Sequence, residues 1–278
     1  KLSDRLHEEL TKTFIDKRAS VLARGLKQDI TFSTEIIEDE KVMINNQYIG
    51  NLKGLKLHLD LKVDALDADI KSLKKAARQN VSPEIIKRIK QIIDTGLIEL
   101  KKDFKIYWKN NQIAKLLPGE DYLNPKIHLL IDDMIENDER SKLDLFIQGW
   151  IQKKINTELK SLVDLKNTQE KNSDLRALAY HLYENNGVVK REDVLSYLKK
   201  LDQNERKKLR NLGVRFGRYH IFLFKLFKPS TVSLRTLLWK NYHEKNEQLE
   251  PPTFGLNFLE QDKPCLLYTS DAADDGLC

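Results

Sequence analysis

An α+β fold, predominantly helical, is what this 278-residue sequence predicts: two β-hairpin-plus-helix units followed by a helical C-terminal module. Three observations carry that expectation. Apolar residues recur three or four positions apart over most of the chain, as in helices that bury one face. In two places that period gives way to alternation around an Asn-Asn pair, as in a hairpin. And 40% apolar against 32% charged residues supports a buried core while excluding a wholly disordered chain.

Leu2, Leu6, Leu10 and Phe14 stand four apart and predict a helix over 1–27, ending near Gly25. The chain opens on Lys1 with helical character already present, so it is expected to begin inside an element. Thr31–Ile37 and Val42–Ile44 read as strands, Asn45-Asn46 as a turn, and Tyr48–Leu52 as the returning strand. Leu55, Leu57, Leu59 and Leu61 alternate like a half-buried strand. Leu66, Ile70, Leu73 and Ala77 return to helical spacing, and Ser82-Pro83-Glu84 predicts a fresh helix that stops at Gly96. Phe104–Trp108, Asn110-Asn111 and Gln112–Leu116 then repeat the first hairpin about 64 residues later. Asn124-Pro125 is expected to open a helical stretch, and a longer helix runs through Phe146, Trp150 and Leu159. The two units are placed at 30–102 and 103–165, with Trp108 and Trp150 expected in the core.

Lys166–Asp174 is polar and predicts a linker. Beyond it, 172–255 reads as helices over Leu175–Tyr183 and Val194–Leu201. A third starts at an Asp202/Glu205 capping pair and ends near Gly213, and the last covers Ser230–His243. Pro251-Pro252 ends the regular structure and leaves 256–264 as a tail. Residues 265–278 resemble a translated sequencing adaptor, and the fold expectation rests on what precedes them. They hold both cysteines and three aspartates, so the remainder has no thiol and its net charge rises from +6 to +9.

Several chemistries lack their residues. No glycine is followed by lysine, so there is no P-loop, and neither His-Glu-x-x-His nor Gly-x-Ser-x-Gly occurs. The six histidines are scattered, and Asp132-Asp133 reads as a solvated helix face rather than a metal pair. No catalytic residue, metal site or bound cofactor is expected in this chain. No apolar run approaches the ~18 residues of a membrane span, no signal peptide is recognised, and a cytoplasmic location is expected.

The segment 204–240 stands apart, with ten Lys and Arg against a single acid, Glu205, and Phe216, Tyr219, Phe222, Phe224, Phe227 and Trp239 interleaved. Cations for phosphates beside rings for bases are the ingredients of single-strand recognition. The residues expected to make that contact are Arg215, Arg218, Lys225, Lys228 and Arg235 for phosphate and Tyr219 for stacking. Phe222 and Phe224 lie in an unbroken apolar stretch and are weaker candidates than Tyr219 and Arg218. Six cation–phosphate contacts would lower affinity about 300-fold between about 50 and 200 mM salt. The same cations could instead rim a core or dock an acidic protein, and both alternatives stay open.

Two stretches carry a resemblance. Leu2-Ser3-Asp4-Arg5-Leu6-His7-Glu8 with Phe14-Ile15-Asp16-Lys17-Arg18 is one. Leu212-Gly213-Val214-Arg215-Phe216-Gly217-Arg218-Tyr219-His220-Ile221-Phe222-Leu223, followed by Leu226, Lys228-Pro229 and Leu237-Leu238-Trp239, is the other. Together they resemble the region C-terminal to the motor of alphaproteobacterial DExH-type helicases, relatives of the mitochondrial degradosome (Suv-type) RNA helicase. Ile49–Gly54 and Asp174–Arg176 fall in the same order, and Phe224 stands where the family has proline. The resemblance implies that 1–29 is a post-motor helix and that a parent protein carries RecA-like domains that bind ATP and Mg. It implies a non-catalytic accessory region that contacts single-stranded RNA, with DNA as a further substrate, beside its own motor domains. The alternative is a platform that recruits a nuclease or ribosomal partner.

Overall fold

Antiparallel strands and one long helix make up the first half of the structure, a computed structural model that describes residues 3, 5–6, 34–37, 40–44, 47–59, 67–168 and 172–244. Ser3, Arg5 and Leu6 are helical, and the rest of the helix expected over 1–27 lies outside the described residues, as does the 45–46 turn. The described residues form a mixed α+β fold with three small sheets. It divides into two units, one of residues 1–116 and 127–147, the other of 117–126 and 148–278. The division therefore falls within a helix and around one loop, and not at the polar stretch 166–174. Among the described residues no helix is long and apolar enough to cross a membrane.

In the first unit, β1 (Thr34–Ile37), β2 (Lys41–Ile44), β3 (Gln47–Lys53) and β4 (Lys56–Leu59) form an antiparallel sheet in sequence order. After it comes α1 (Asp67–Thr95), then β5 (Glu99–Leu100), β6 (Lys105–Trp108), β7 (Asn111–Leu117) and β8 (Lys126–Leu129), again in sequence order. The two sheets are copies. Lys41 faces Asn51 and Lys105 faces Lys115; Met43 faces Tyr48 and Tyr107 faces Gln112, each 64 positions on. The β-bulge recurs too, between Val42 and Met43 and between Ile106 and Tyr107. So does the bond that closes it, from Leu52 N–H to the Glu40 carbonyl and from Leu116 N–H to that of Phe104. From β4 to β8 the offset grows to 70, because the second copy has six more residues in the loop before its last strand, and 117–126 belong to the second unit.

Two expectations fail in this region. Ser82-Pro83 does not begin a new helix: α1 runs unbroken through Pro83. Pro83 is exposed, so the Gln79 carbonyl that loses its intrahelical N–H lies on a watered side. The opposite face, Ala77, Val81, Ile85, Ile89 and Ile92, is continuous and buried, and that burial outweighs one missing bond. Arg88, 6% exposed, fixes this helix to the sheet by donating from Nη1 to the carbonyls of Leu52 and Gly54. Asn124-Pro125, likewise, opens a strand and not a helix, because Lys126-Ile127-His128-Leu129 alternates and pairs with β7.

α2 (Asn137–Glu158) buries Leu143, Ile147, Ile151 and Ile155, a stripe four residues apart, and α3 (Lys160–Lys166) adds Leu162 and Leu165. In the second unit α4 (Ser173–Glu184) is capped by Asn172, whose side chain accepts from the N–H groups of Asp174 and Leu175. α5 (Leu195–Lys200), α6 (Gln203–Asn211) and α7 (Pro229–Tyr242) lie where the sequence places them, and the Asp202/Glu205 capping box is present. Trp108 is buried, whereas Trp150 is half-buried. The module is not helical throughout. β9 (Val188–Lys190), β10 (Val214–Phe216) and β11 (His220–Leu223) form a third sheet in the order β10-β11-β9, which pairs residues about 30 positions apart. Its strands of three or four residues are too short to show a period of two.

Candidate nucleic-acid interface

The resemblance block at 212–229 folds as a hairpin and a turn. β10 and β11 pair through Phe216 and Ile221, the Gly217 N–H donates to the His220 carbonyl at 2.8 Å, and Arg218 and Tyr219 are left as a two-residue tip. The tip is braced from the strand beside it. The Arg191 N–H donates to the Tyr219 carbonyl and its Nη1 to the Gly217 carbonyl, both at 2.8 Å. Two donors from one residue fix the tip backbone while both tip side chains stay outside. Arg218 lies over the Tyr219 ring, 5.3 Å from its centroid, and Tyr219 is 53% exposed.

Side chains of the sheet sort by face. Val214, Leu223, Ile221 and Val189 turn into the core and are buried. Arg215 lies on the other face, opposite Phe222. Phe222 is buried, with the Phe227 ring edge-on at 5.2 Å. The chain then enters a 3₁₀ turn, Phe224–Phe227, that sends Leu226 inward and leaves Phe224 56% exposed. Phe224, the weaker candidate by its place in an apolar stretch, is outward because the strand ends one residue before it and the turn rotates it into solvent. It supplies a second ring beside Lys225 and Lys228.

Arg215, Arg218, Lys225 and Lys228 are exposed, and among the described residues none is ion-paired with a carboxylate. Arg235 is different. It is 0% exposed, on the side of α7 that also buries Thr231, Leu234 and Leu238, and its Nη1 donates to the Asn186 carbonyl at 3.1 Å. It cannot present its guanidinium to a strand in solvent, so it leaves the set of phosphate contacts. Arg206 is likewise held by the fold, with Nη2 on the Leu198 carbonyl. Arg210 lies against the Phe216 ring at 5.6 Å.

No protein-family model, no curated protein and no solved structure matches this chain. The site therefore rests on its own geometry. Four of the five expected phosphate contacts and the expected stacking ring occupy exposed positions of one segment, 215–228, and the fifth cation is buried. Arg191 was missed; its neighbours Lys190, Glu192 and Asp193 give the stretch the look of a solvated charged loop.

Among the described residues no group of three or more His, Cys, Asp or Glu could hold a metal ion. Asp132 is not on a solvated helix face: it sits in the turn before α2, 2% exposed, with the Arg78 Nε 3.4 Å away. The turn holds its carboxylate inward because the carboxylate also accepts from the Met134 N–H.

Proposed function

We propose that this chain is a non-catalytic accessory region of an ATP-dependent helicase that holds single-stranded nucleic acid, RNA first, on its β10–β11 hairpin. The helicase part rests on the resemblance at 212–229; ATP and Mg would belong to the parent's motor domains, and a cytoplasmic location goes with that reading. The observation that carries the binding role is the braced tip, with Arg218 and Tyr219 projecting from it, while Arg215 on the adjoining strand and Phe224, Lys225 and Lys228 after the other end of β11 are exposed as well. Cations contact phosphates of any sequence and rings stack on any base, which suits a partner of a motor that moves along its strand. With Arg235 removed from the count, four contacts predict an affinity loss of about 50-fold between about 50 and 200 mM salt.

The test is fluorescence anisotropy of a labelled unstructured RNA across that salt range. Arg218→Ala should flatten the log–log slope by about 0.7, and Tyr219→Ala should weaken binding about 10-fold with the slope unchanged. Binding that is absent, or indifferent to both substitutions, would leave docking on an acidic protein as the better reading.

A further inference from the structure

The duplicated sheets carry a feature that neither the hairpin nor the resemblance assigns. In β5–β8 the Lys101 N–H donates to the Lys105 carbonyl, and Lys105 faces Lys115. The Leu130 N–H donates to the Ile113 carbonyl at 2.8 Å, which sets the β7–β8 register and puts His128 opposite Lys115. Lys101, Lys105, Lys115 and His128 thus form one transverse row across four strands, on one face. Three inter-strand gaps make the row about 14 Å long.

Like charges directly opposite each other in a sheet oppose folding. The register is imposed from the inner face, where Ile106, Trp108, Ala114 and Leu116 are buried, so the lysines are not needed to set it. The first copy shows what the fold tolerates: its row is Ile37, Lys41, Asn51 and His58, with a single lysine. Lys and His recur at two positions of both rows, and His58, His128 and Lys41 are exposed. The second copy has lysines at two more. Among the described residues, acids nearby offset the row at Lys105 alone. Asp103 pairs with Lys105 at 3.6 Å and takes the Tyr107 hydroxyl, and Glu99 lies opposite Tyr107. Among the described residues Lys115 is ion-paired with no carboxylate.

We infer that this row is a second binding surface, one that takes the phosphodiester backbone of a single-stranded nucleic acid. Lysine is depleted at protein–protein interfaces, whose centres are apolar, and this row has no apolar residue in it. Lysine as a point charge suits phosphates in a line. Tyr107, half-buried in the adjoining row with Lys101 4.3 Å from its ring centre, and Gln112 beside it offer polar edges to bases or sugars. The surface is independent of the β10–β11 hairpin.

The experiment uses the full chain and a labelled short oligouridylate, with affinity measured from about 50 to 200 mM salt. Lys105→Gln/Lys115→Gln removes two cations from the row; Arg218→Ala reports separately on the hairpin, and Lys90→Gln, exposed on α1, is the control. Expected is a slope flatter by about 1.4 for the double variant, so that its loss of affinity over this range is about sevenfold smaller. Lys90→Gln should change nothing, and the double variant should melt no lower than the parent because relief of the opposed pair offsets loss of the partly exposed Asp103–Lys105 ion pair. If the double variant does melt lower, Lys115→Gln alone should still flatten the slope by about 0.7. An unchanged slope overturns the inference, and if Arg218→Ala still flattens it the hairpin reading survives alone. Displacement of nothing by RNA but binding of polyglutamate to the row would overturn it in favour of an acidic protein.

Discussion

Arg235→Ala separates a phosphate contact from a structural cation. Arg235 is fully buried, and its Nη1 holds the Asn186 carbonyl at 3.1 Å, just before Gly187 turns the chain into β9. A hydrogen bond from a charged donor contributes about 1.5–3 kcal/mol. Truncating a large buried side chain adds a cavity of about 2–4 kcal/mol. The two overlap, so a loss of about 3–5 kcal/mol is expected, in the range found when a buried charged contact is broken. With an m-value of about 2 kcal/mol/M, the urea midpoint should fall by about 1.5–2.5 M. Trp239, one turn further along α7 and buried, reports the transition by fluorescence. Under conditions where the variant is folded, its RNA-binding salt slope should match that of the parent. A stability loss below about 1 kcal/mol together with a slope flatter by about 0.7 would refute the assignment, because that is the signature of an exposed phosphate contact.

Phe224→Ala should weaken RNA binding about 10-fold by anisotropy, with the urea midpoint unchanged, since the ring is exposed. Gly187→Ala should destabilise the second unit by about 2–4 kcal/mol in urea unfolding. Its φ is +89°, and an added Cβ would come 2.3 Å from Leu226 Cδ1. Asp121 carries a pH signature. Burial alone would raise its carboxyl, but hydrogen bonds from Lys166 at 2.5 Å, Asn124 and the Leu123 N–H hold it below the usual range. A lowered folded value means that Asp121 stabilises above about pH 4 and that this contribution disappears as pH falls through the folded value. Asp121→Asn should therefore lower the urea midpoint at neutral pH, with the difference from the parent shrinking as pH falls below about 4.

How far the sequence could be read depended on the length over which a pattern repeats. The hairpins were legible because each spans strands long enough to alternate, and because the second copy repeats the first; Lys41 to Leu52 and Lys105 to Leu116 match in register as well as in pattern. The helices of the C-terminal module were legible through their caps, Asp202 with Glu205 above all. The third sheet was not, since Val214-Arg215-Phe216 and Val188-Val189-Lys190 offer three residues each and their partners are distant in the chain. Pro83 was overweighted: a local helix-start signal loses to a buried stripe that continues past it.

The candidate site divided along the same line. Arg218 and Tyr219 are legible as a cation and a ring just ahead of the unbroken apolar stretch, and they lie at an exposed tip. Arg235 was included for its charge alone, although Thr231, Leu234 and Leu238 around it already mark a buried helix face. Phe224 was left out because an unbroken apolar run does not reveal where a strand yields to a turn. Arg191 could not have been chosen, because its role depends on β9 lying beside β11.

The most direct measurement is photocrosslinking of an unstructured RNA carrying a photoreactive uridine, with the adducts mapped by mass spectrometry of the digested chain. A strand lying on the hairpin should leave adducts at Tyr219 and Phe224, and they should fade as salt is raised. An adduct map with nothing between residues 214 and 228 would contradict the account.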